Sequence, residues 1–268
     1  MEFIAARDLD EALAARAERP DAQLLAGGTD LMVEVNLAHH RPSGVVSLRR
    51  VRELREVTPG RIGAGATWAD LERSGHKALA QAARSVGSPQ IRAVGTIGGN
   101  VATASPAGDG LPWLAAADAR IIVRSAERGE RMVPWRDFFV GVKRTSLEPD
   151  EVITGVEVPP DLPQAQEFAK VGSRNAMVIA TVSCVVMRGD EGFRVALGSV
   201  APTPIRASRA EEMINAESSL SEAVLAEFAR LVAKEVRPIT DHRSTEAYRR
   251  HASGVLARRL VERSVAWT

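Results

Sequence analysis

The sequence predicts an α+β protein of two small lobes followed by an antiparallel sheet with helices, and three observations predict it. At 268 residues the chain exceeds the usual size of one domain, so two domains, or one composite domain with an appendage, are expected. Two glycine turns, AGGTD at 26–30 and GTIGGN at 95–100, lie about seventy residues apart, each among short mixed strands and helices. Beyond Pro159-Pro160 the pattern changes to strand-like runs and then amphipathic helices. The expected division is 1–160, with lobes over about 1–55 and 56–160, and then 161–268.

In chain order, Asp8 and Glu11 form a capping-box pattern that opens an amphipathic helix carrying Leu9, Ala12 and Leu13, and Pro20 closes it. Leu24, Leu25 and Ala26 read as a strand running into the first glycine turn, and Leu31, Met32 and Val33 start a helix. Val45, Val46 and Leu48 give another strand. The second lobe opens on RIGAGATW as strand and turn, followed by an alanine-rich helix over about 76–86 and then the second glycine turn. A short helix over Leu111 to Ala117, a strand Ala119 to Arg124, a turn at Arg128-Gly129 and a strand Glu151 to Val158 complete it. FAKVG, MVIATVSCVVM and FRVALGSV then suggest an antiparallel meander. A helix over Ala223 to Val236 and a last one carrying Ala252, Val255, Leu256 and Leu260 follow, each with an apolar stripe.

Composition narrows the function. Hydrophobic residues at 45% and charged residues at 26% are an ordinary globular balance. No apolar run approaches the roughly 18 residues of a spanning helix, and the early acidic residues do not read as a signal peptide, so the cytoplasm is the expected location and no transmembrane segment is expected. Net charge is +1, from 35 basic and 34 acidic residues, which leaves no electrostatic footprint for nucleic acid. Arg49, Arg50 and Arg52 read as a solvated loop. Cys184, the single cysteine, excludes an internal disulfide and an all-cysteine iron–sulfur cluster held by this chain alone; its apolar surroundings predict a buried small hydrophobe.

Several chemistries lack their motif. His39-His40 would diverge on a helix, and His76, His242 and His251 lie in polar stretches without HExxH or CxxC spacing, so exposed or loosely packed histidines are expected and no metal site. GxSxG and GxxxxGK[ST] are both absent. Gly63-Ala64-Gly65 begins like a dinucleotide fingerprint, but Trp68 stands where its third glycine belongs.

What remains is the pair of glycine turns. Residues 93–110, AVGTIGGNVATASPAGDG, hold five glycines in eighteen positions. Such a stretch is either a loop whose turns require glycine or an anion cradle whose successive N–H groups face a phosphate. Two cradles facing each other would clamp a pyrophosphate without a metal.

LLAGGTDLMVEV, VGSPQIRAVGTIGGNVATASPAGD and FFVGVKRTSLEPDEVITGVEVP, in that order, resemble the FAD-binding medium subunit of molybdenum-containing hydroxylases, the family of xanthine dehydrogenase and aerobic carbon monoxide dehydrogenase. FAKVGSRNAMVIATVSCVV, LGSVAPTPIRASRAE and YRRHASGVLARRLVERS resemble its C-terminal domain, so the likeness covers nearly the whole chain. It implies a two-lobed FAD-binding domain of the vanillyl-alcohol-oxidase/PCMH type and a C-terminal domain like that of carbon monoxide dehydrogenase flavoproteins. The family's flavin contacts carry over to Leu24, Leu25, Ala26, Gly27, Gly28, Thr29, Asp30 and Leu31 in the first motif and to Thr96, Ile97, Gly98, Gly99 and Asn100 in the second. Asp109 matches the aspartate near the adenosine ribose, Ile153 an apolar residue near the flavin rings, and Lys170 a lysine beside the ring edge.

The resemblance further implies that this chain does no bond-making. Its FAD would receive electrons from 2Fe-2S clusters on a small partner subunit, fed by a large subunit that carries the molybdenum cofactor, and would deliver them to NAD, quinone or oxygen. A dimer of such heterotrimers is expected. Two departures stand out. Val86 occupies the place of an aromatic residue sometimes found beside a ring, and the cysteine-rich insertion of the hydroxybenzoyl-CoA reductase branch is absent. The rival readings are a free-standing FAD-dependent reductase or oxidase of the same cofactor fold and a small-ligand sensor that has lost redox function. No linking histidine lies in the glycine motifs.

Overall fold

A computed structural model describes residues 2–175 and 177–265. Its first lobe is a three-stranded parallel sheet in the order Glu2–Ala5, Gly44–Ser47, Gln23–Leu25. Parallel neighbours need crossovers, and the helices Leu9–Glu18 and Leu31–Asn36 lie in the connections. Asp8 caps the first helix by accepting from the Glu11 N–H at 2.8 Å, while the Glu11 carboxylate reaches back one residue further than a capping box does, to the Arg7 N–H at 2.7 Å. The strand Glu2–Ala5 has no counterpart in the sequence reading, because four residues without alternation give no period to detect.

The second lobe is an antiparallel sheet in the order Arg61–Gly63, Val152–Glu157, Arg120–Ser125, Gly129–Pro134. Helices Lys77–Ser85 and Leu111–Ala116 bury their apolar residues in the same core as its strands. The stretch expected to be a glycine turn is instead the first turn of a helix, Ile97–Thr103, capped by the Thr96 hydroxyl on the Gly99 N–H at 3.0 Å. Glycine lowers helix propensity, so the sequence favours a turn here; the cap and the burial of Ile97 and Val101 override that preference.

The expected meander is present as strands Ala165–Val171, Val182–Gly189 and Gly192–Gly198, with a short Ile205–Arg206 edge. Its second strand starts five residues later than Met177. Both faces are covered. Val185, Met187 and Ala196 join Trp113 and Leu114 in the second lobe's core, whereas Cys184, Val186, Val195 and Leu197 pack with Phe228, Val232, Leu260 and Val261 of the terminal helices. Burial on both sides explains why VSCVVM, all of it buried, shows no alternating exposed face. Cys184 is fully buried, and burial pushes its thiol far up, away from reactivity. The helix Ser208–Asn215 escaped the sequence reading, and the last helix begins at Glu246, two turns before its apolar stripe. No helix among the described residues is long and apolar enough to cross a membrane.

Arg249 ties that last helix down. Its guanidinium donates to the Thr181 carbonyl at 2.7 Å, the Ser199 carbonyl at 2.9 Å and Asp241 Oδ1 at 2.8 Å. Burial pushes the Asp241 carboxyl up, but Arg249 and the N–H groups of Arg243 and Ser244 outweigh it and hold the group at about 2. A depressed carboxylate stabilises the fold fully above its unfolded pKa of about 4, and that contribution is lost as pH falls towards 2. We expect Asp241→Asn to remove that part of the acid dependence. Urea midpoints for both chains, followed from pH 6 to pH 2.5, should converge; parallel curves would show that Asp241 gives no such support.

Candidate functional site: a dinucleotide cleft

The two glycine motifs meet. Gly27 lies so close to Val94 that a Cβ there would sit 2.0 Å from the Val94 carbonyl oxygen, and a Cβ on Gly95 would come within 3.2 Å of Thr29 Oγ1. Thr103, at the end of the glycine helix, donates to Asp30 Oδ2 at 3.0 Å. Residues seventy apart in sequence thus form one side of a cleft.

The two motifs offer different surfaces. Gly28 has φ +75°, the left-handed conformation, with Leu25 and Met32 side chains close to where a Cβ would project. Around it the N–H groups of Gly27, Gly28, Thr29 and Asp30 donate to no protein acceptor among the described residues; Gly27 lines the cleft, and Gly28, Thr29 and Asp30 follow it outside the lining. The second motif spends its donors internally. Ile97 N–H goes to the Ala66 carbonyl at 3.1 Å, Gly98 N–H to the Ala64 carbonyl at 2.9 Å and Gly99 N–H to the Thr96 hydroxyl. The expectation of two matching cradles is therefore corrected to one cradle and one bare wall. Gly98 is glycine because a Cβ would stand 2.6 Å from the Ala64 carbonyl oxygen; neither it nor Gly99 has positive φ.

Leu24, Ala26, Gly27, Thr96, Gly98, Gly99 and Ile153 all line the cleft. Leu25 is paired with Ser47 in the sheet, Leu31 opens the next helix, and the Ile97 side chain is wholly buried. Asn100 sits behind the wall, its Oδ1 2.8 Å from where a Gly110 Cβ would be and without a hydrogen-bond partner. The remaining wall was not foreseen: Leu48, Val51 and Leu54, with Leu147 and Val152 near Ile153. Arg49 and Arg55 line it too, so Arg49 is more than part of a solvated loop. The lining contains no carboxylate, imidazole or thiol.

Asp109 and Lys170 lie elsewhere, in contact with each other. Lys170 Nζ donates to Asp109 Oδ2 at 2.6 Å, to the Ser85 carbonyl at 2.9 Å and to the Val178 carbonyl at 3.1 Å. Both side chains are about nine-tenths buried. Burial pushes the Asp109 carboxyl above its usual range, and the Lys170 ammonium and Ser85 hydroxyl pull it down without cancelling that shift. Among the described residues Asp109 Oδ1 has no hydrogen-bond partner. Ser85, which also donates to Asp109 at 3.4 Å, was not singled out by sequence, since nothing local marks a residue whose role depends on strands 85 residues away. His76, expected in polar surroundings, is buried edge-on against Trp113, where burial lowers its pKa. Among the described residues no group of three His, Cys, Asp or Glu is placed to hold a metal ion.

A cleft edged by a glycine turn with unbonded backbone donors, with an uncharged glycine wall and aliphatic lining, suits a dinucleotide: phosphates match the donors and a planar ring matches the aliphatic surface. The comparisons identify the dinucleotide. Residues 1–161 match the FAD binding domain in molybdopterin dehydrogenase, and residues 167–264 match the CO dehydrogenase flavoprotein C-terminal domain. The chain belongs to the family of FAD-binding medium subunits of xanthine and carbon monoxide dehydrogenases. It is 32% identical to the xanthine dehydrogenase FAD-binding subunit of Escherichia coli O157:H7, over 97% of this chain and 94% of that one. It is 31% identical to the carbon monoxide dehydrogenase medium chain of Hydrogenophaga pseudoflava, over 99% and 96%. A solved carbon monoxide dehydrogenase from Hydrogenophaga pseudoflava superposes with a TM-score of 0.90 at 29% identity, covering 99% of this chain and 97% of that one. Quinoline 2-oxidoreductase from Pseudomonas putida 86 gives 0.90 at 26% identity, covering 98% and 96%.

Proposed function

We propose that the chain is the electron-transfer subunit of a molybdenum hydroxylase complex, passing electrons from 2Fe-2S clusters of a small partner subunit to NAD, quinone or oxygen. The observation that carries the reading is the cleft's lining, which can hold a dinucleotide but has no group placed to move a proton or attack a substrate. FAD, when bound, supplies the exchange between single-electron donors and two-electron acceptors. The chain's own residues position it. The N–H groups of Gly27 to Asp30 bind its phosphates, the Gly98-Gly99 wall lets it approach, and Ile153 with its apolar neighbours covers a ring. Asp109 and Lys170 form one buried ion pair outside the cleft's lining, the ammonium's charge balanced by the carboxylate, so we assign them to holding the segments around Ser85 and Val178 rather than to a charged contact with the ring.

A large subunit with the molybdenum cofactor and the small iron–sulfur subunit complete the proposed complex, as a dimer of heterotrimers in the cytoplasm. Exposed apolar side chains support a partnered surface: Met32 and Val33 on one helix with Leu37 just past its end, and Val140 and Val142 on a hairpin joined to it by the 2.9 Å Lys143 to Glu34 ion pair. The test is to add hydroxylatable substrate to the copurified complex and to the isolated chain and follow flavin absorbance. Bleaching is expected in the complex alone. Bleaching of the isolated chain would show that it oxidises substrate itself, and the relay reading would fall.

A further inference from the structure

We propose that Arg49 and Arg55 form a cationic cover over a planar nitrogen heterocycle of FAD, taking the part that an aromatic side chain plays in many flavin sites. The inference rests on the chain binding FAD and concerns which residues grip it. The cleft lining has no Phe, Tyr or Trp, although a flat ring needs a flat or apolar surface on each side. The aliphatic residues Leu147, Val152 and Ile153 supply apolar surface in the lining. The loop from Leu48 to Arg55 lines the cleft with Val51, Leu54, Arg49 and Arg55, the two arginines being the only charged residues in the lining among the described residues.

The loop is firmly built. Leu54 is buried, its carbonyl accepts from the Gly65 N–H at 2.6 Å, and Val51 N–H donates to the Leu48 carbonyl at 3.1 Å. Arg52–Arg55 forms a single tight helical turn. From it the Arg55 guanidinium crosses the loop and donates through Nη2 to the Arg49 carbonyl at 2.7 Å. Neither arginine has an ion-pair partner among the described residues, and no carboxylate lines the cleft to draw them away. A guanidinium is planar and weakly hydrated, so it stacks on a π face, and its charge also favours the phosphates that follow the ring. Arg55 is thus partly preorganised before the ligand arrives, with Arg49 beside it on the same loop.

The ring could be the adenine or the isoalloxazine, and fragments separate them. The full chain, stripped of flavin, is titrated calorimetrically with FAD, ADP and FMN, using wild type, Arg55→Leu, Arg49→Met, Arg55→Lys and Arg50→Leu. We expect Arg55→Leu to weaken FAD roughly 5- to 30-fold. The fragment carrying the covered ring should weaken by the same factor while the other is unchanged, and so the affected fragment names the ring. Arg55→Lys should recover only part of the loss, because an ammonium keeps the charge and not the plane. Arg50→Leu, one residue from the cleft lining, should bind as wild type, which separates stacking from net charge. FAD, ADP and FMN affinities all within twofold of wild type in Arg55→Leu and Arg49→Met would overturn the proposal. Equal recovery by lysine would also overturn it, reducing the arginines to point charges. If wild type itself bound no FAD, the failure would lie with the cofactor assignment instead.

Discussion

Gly27→Ala should cost the chain its flavin. The added Cβ would stand 2.0 Å from the Val94 carbonyl oxygen and 2.6 Å from its carbon, both backbone atoms that no rotamer change can move aside. The first glycine turn must then lift off the segment that leads into the glycine helix, and the four unbonded donors of Gly27 to Asp30 lose their aim. A hydrogen bond to a charged group contributes about 1.5 to 3 kcal/mol, so misplacing two of them lowers FAD affinity by about a hundredfold or more. Gly98→Val should act similarly through Ala64. Gly99→Ala is the contrasting case, since its Cβ would meet only Thr96 Oγ1 at 3.2 Å, and any loss there reports on contact with the ligand itself. Flavin-to-protein absorbance ratios after gel filtration, with circular dichroism as a folding check, measure all three. A well-folded Gly27→Ala chain that keeps FAD within threefold of wild-type affinity would falsify the single-cradle geometry.

The second large effect is expected from Lys170→Met. This change leaves the buried Asp109 carboxylate with no counter-charge, a loss that costs about 3 to 5 kcal/mol when a buried pair is broken. Asp109 already titrates above its usual range, and without the ammonium it moves higher still. A carboxyl whose folded pKa exceeds its unfolded value of about 4 leaves the fold unpenalised below that pH, and the penalty grows as pH climbs through the folded value. The variant should therefore be far less stable than wild type at pH 8 and approach it on acidification to pH 4.5. Adding Asp109→Asn to it should restore much of the loss. Urea unfolding at several pH values decides the matter: a gap below about 1 kcal/mol that is flat with pH would mean that the pair is as weakly coupled as exposed ones.

The sequence disclosed what short range encodes. The strand before AGGTD, the amphipathic stripes of the two long helices and the apolar run through Cys184 each carry a period or a boundary residue that backbone geometry requires. What it hid is long-range. Nothing near Lys170 signals a partner 61 residues earlier, and nothing in RELR says that Arg55 lines a cleft shared with four other segments. The glycines were informative about place and misleading about cause. Gly28 does take positive φ, but Gly27 and Gly98 are bare because another backbone passes against them, a reason visible only once the chain is folded.

The doubly covered C-terminal sheet has a mechanical consequence. Its one face shares a continuous core with the second lobe and its other face is clamped by the terminal helices, so that assembly is stiff in shear and offers no layer on which to slide. The first lobe is tethered differently. Its interior consists of two small clusters, around Ala6, Ala12, Val51 and Leu54 and around Ala15, Ala22 and Val46, separate from the main core. The jaw that bears the glycine turn and Arg55 is therefore held to the rest by cross-ties rather than by a shared core: Leu54 to Gly65, Asp30 to Thr103 and Glu34 to Lys143. Loosening this jaw would break a few hydrogen bonds and the Glu34 to Lys143 ion pair and leave the main core intact.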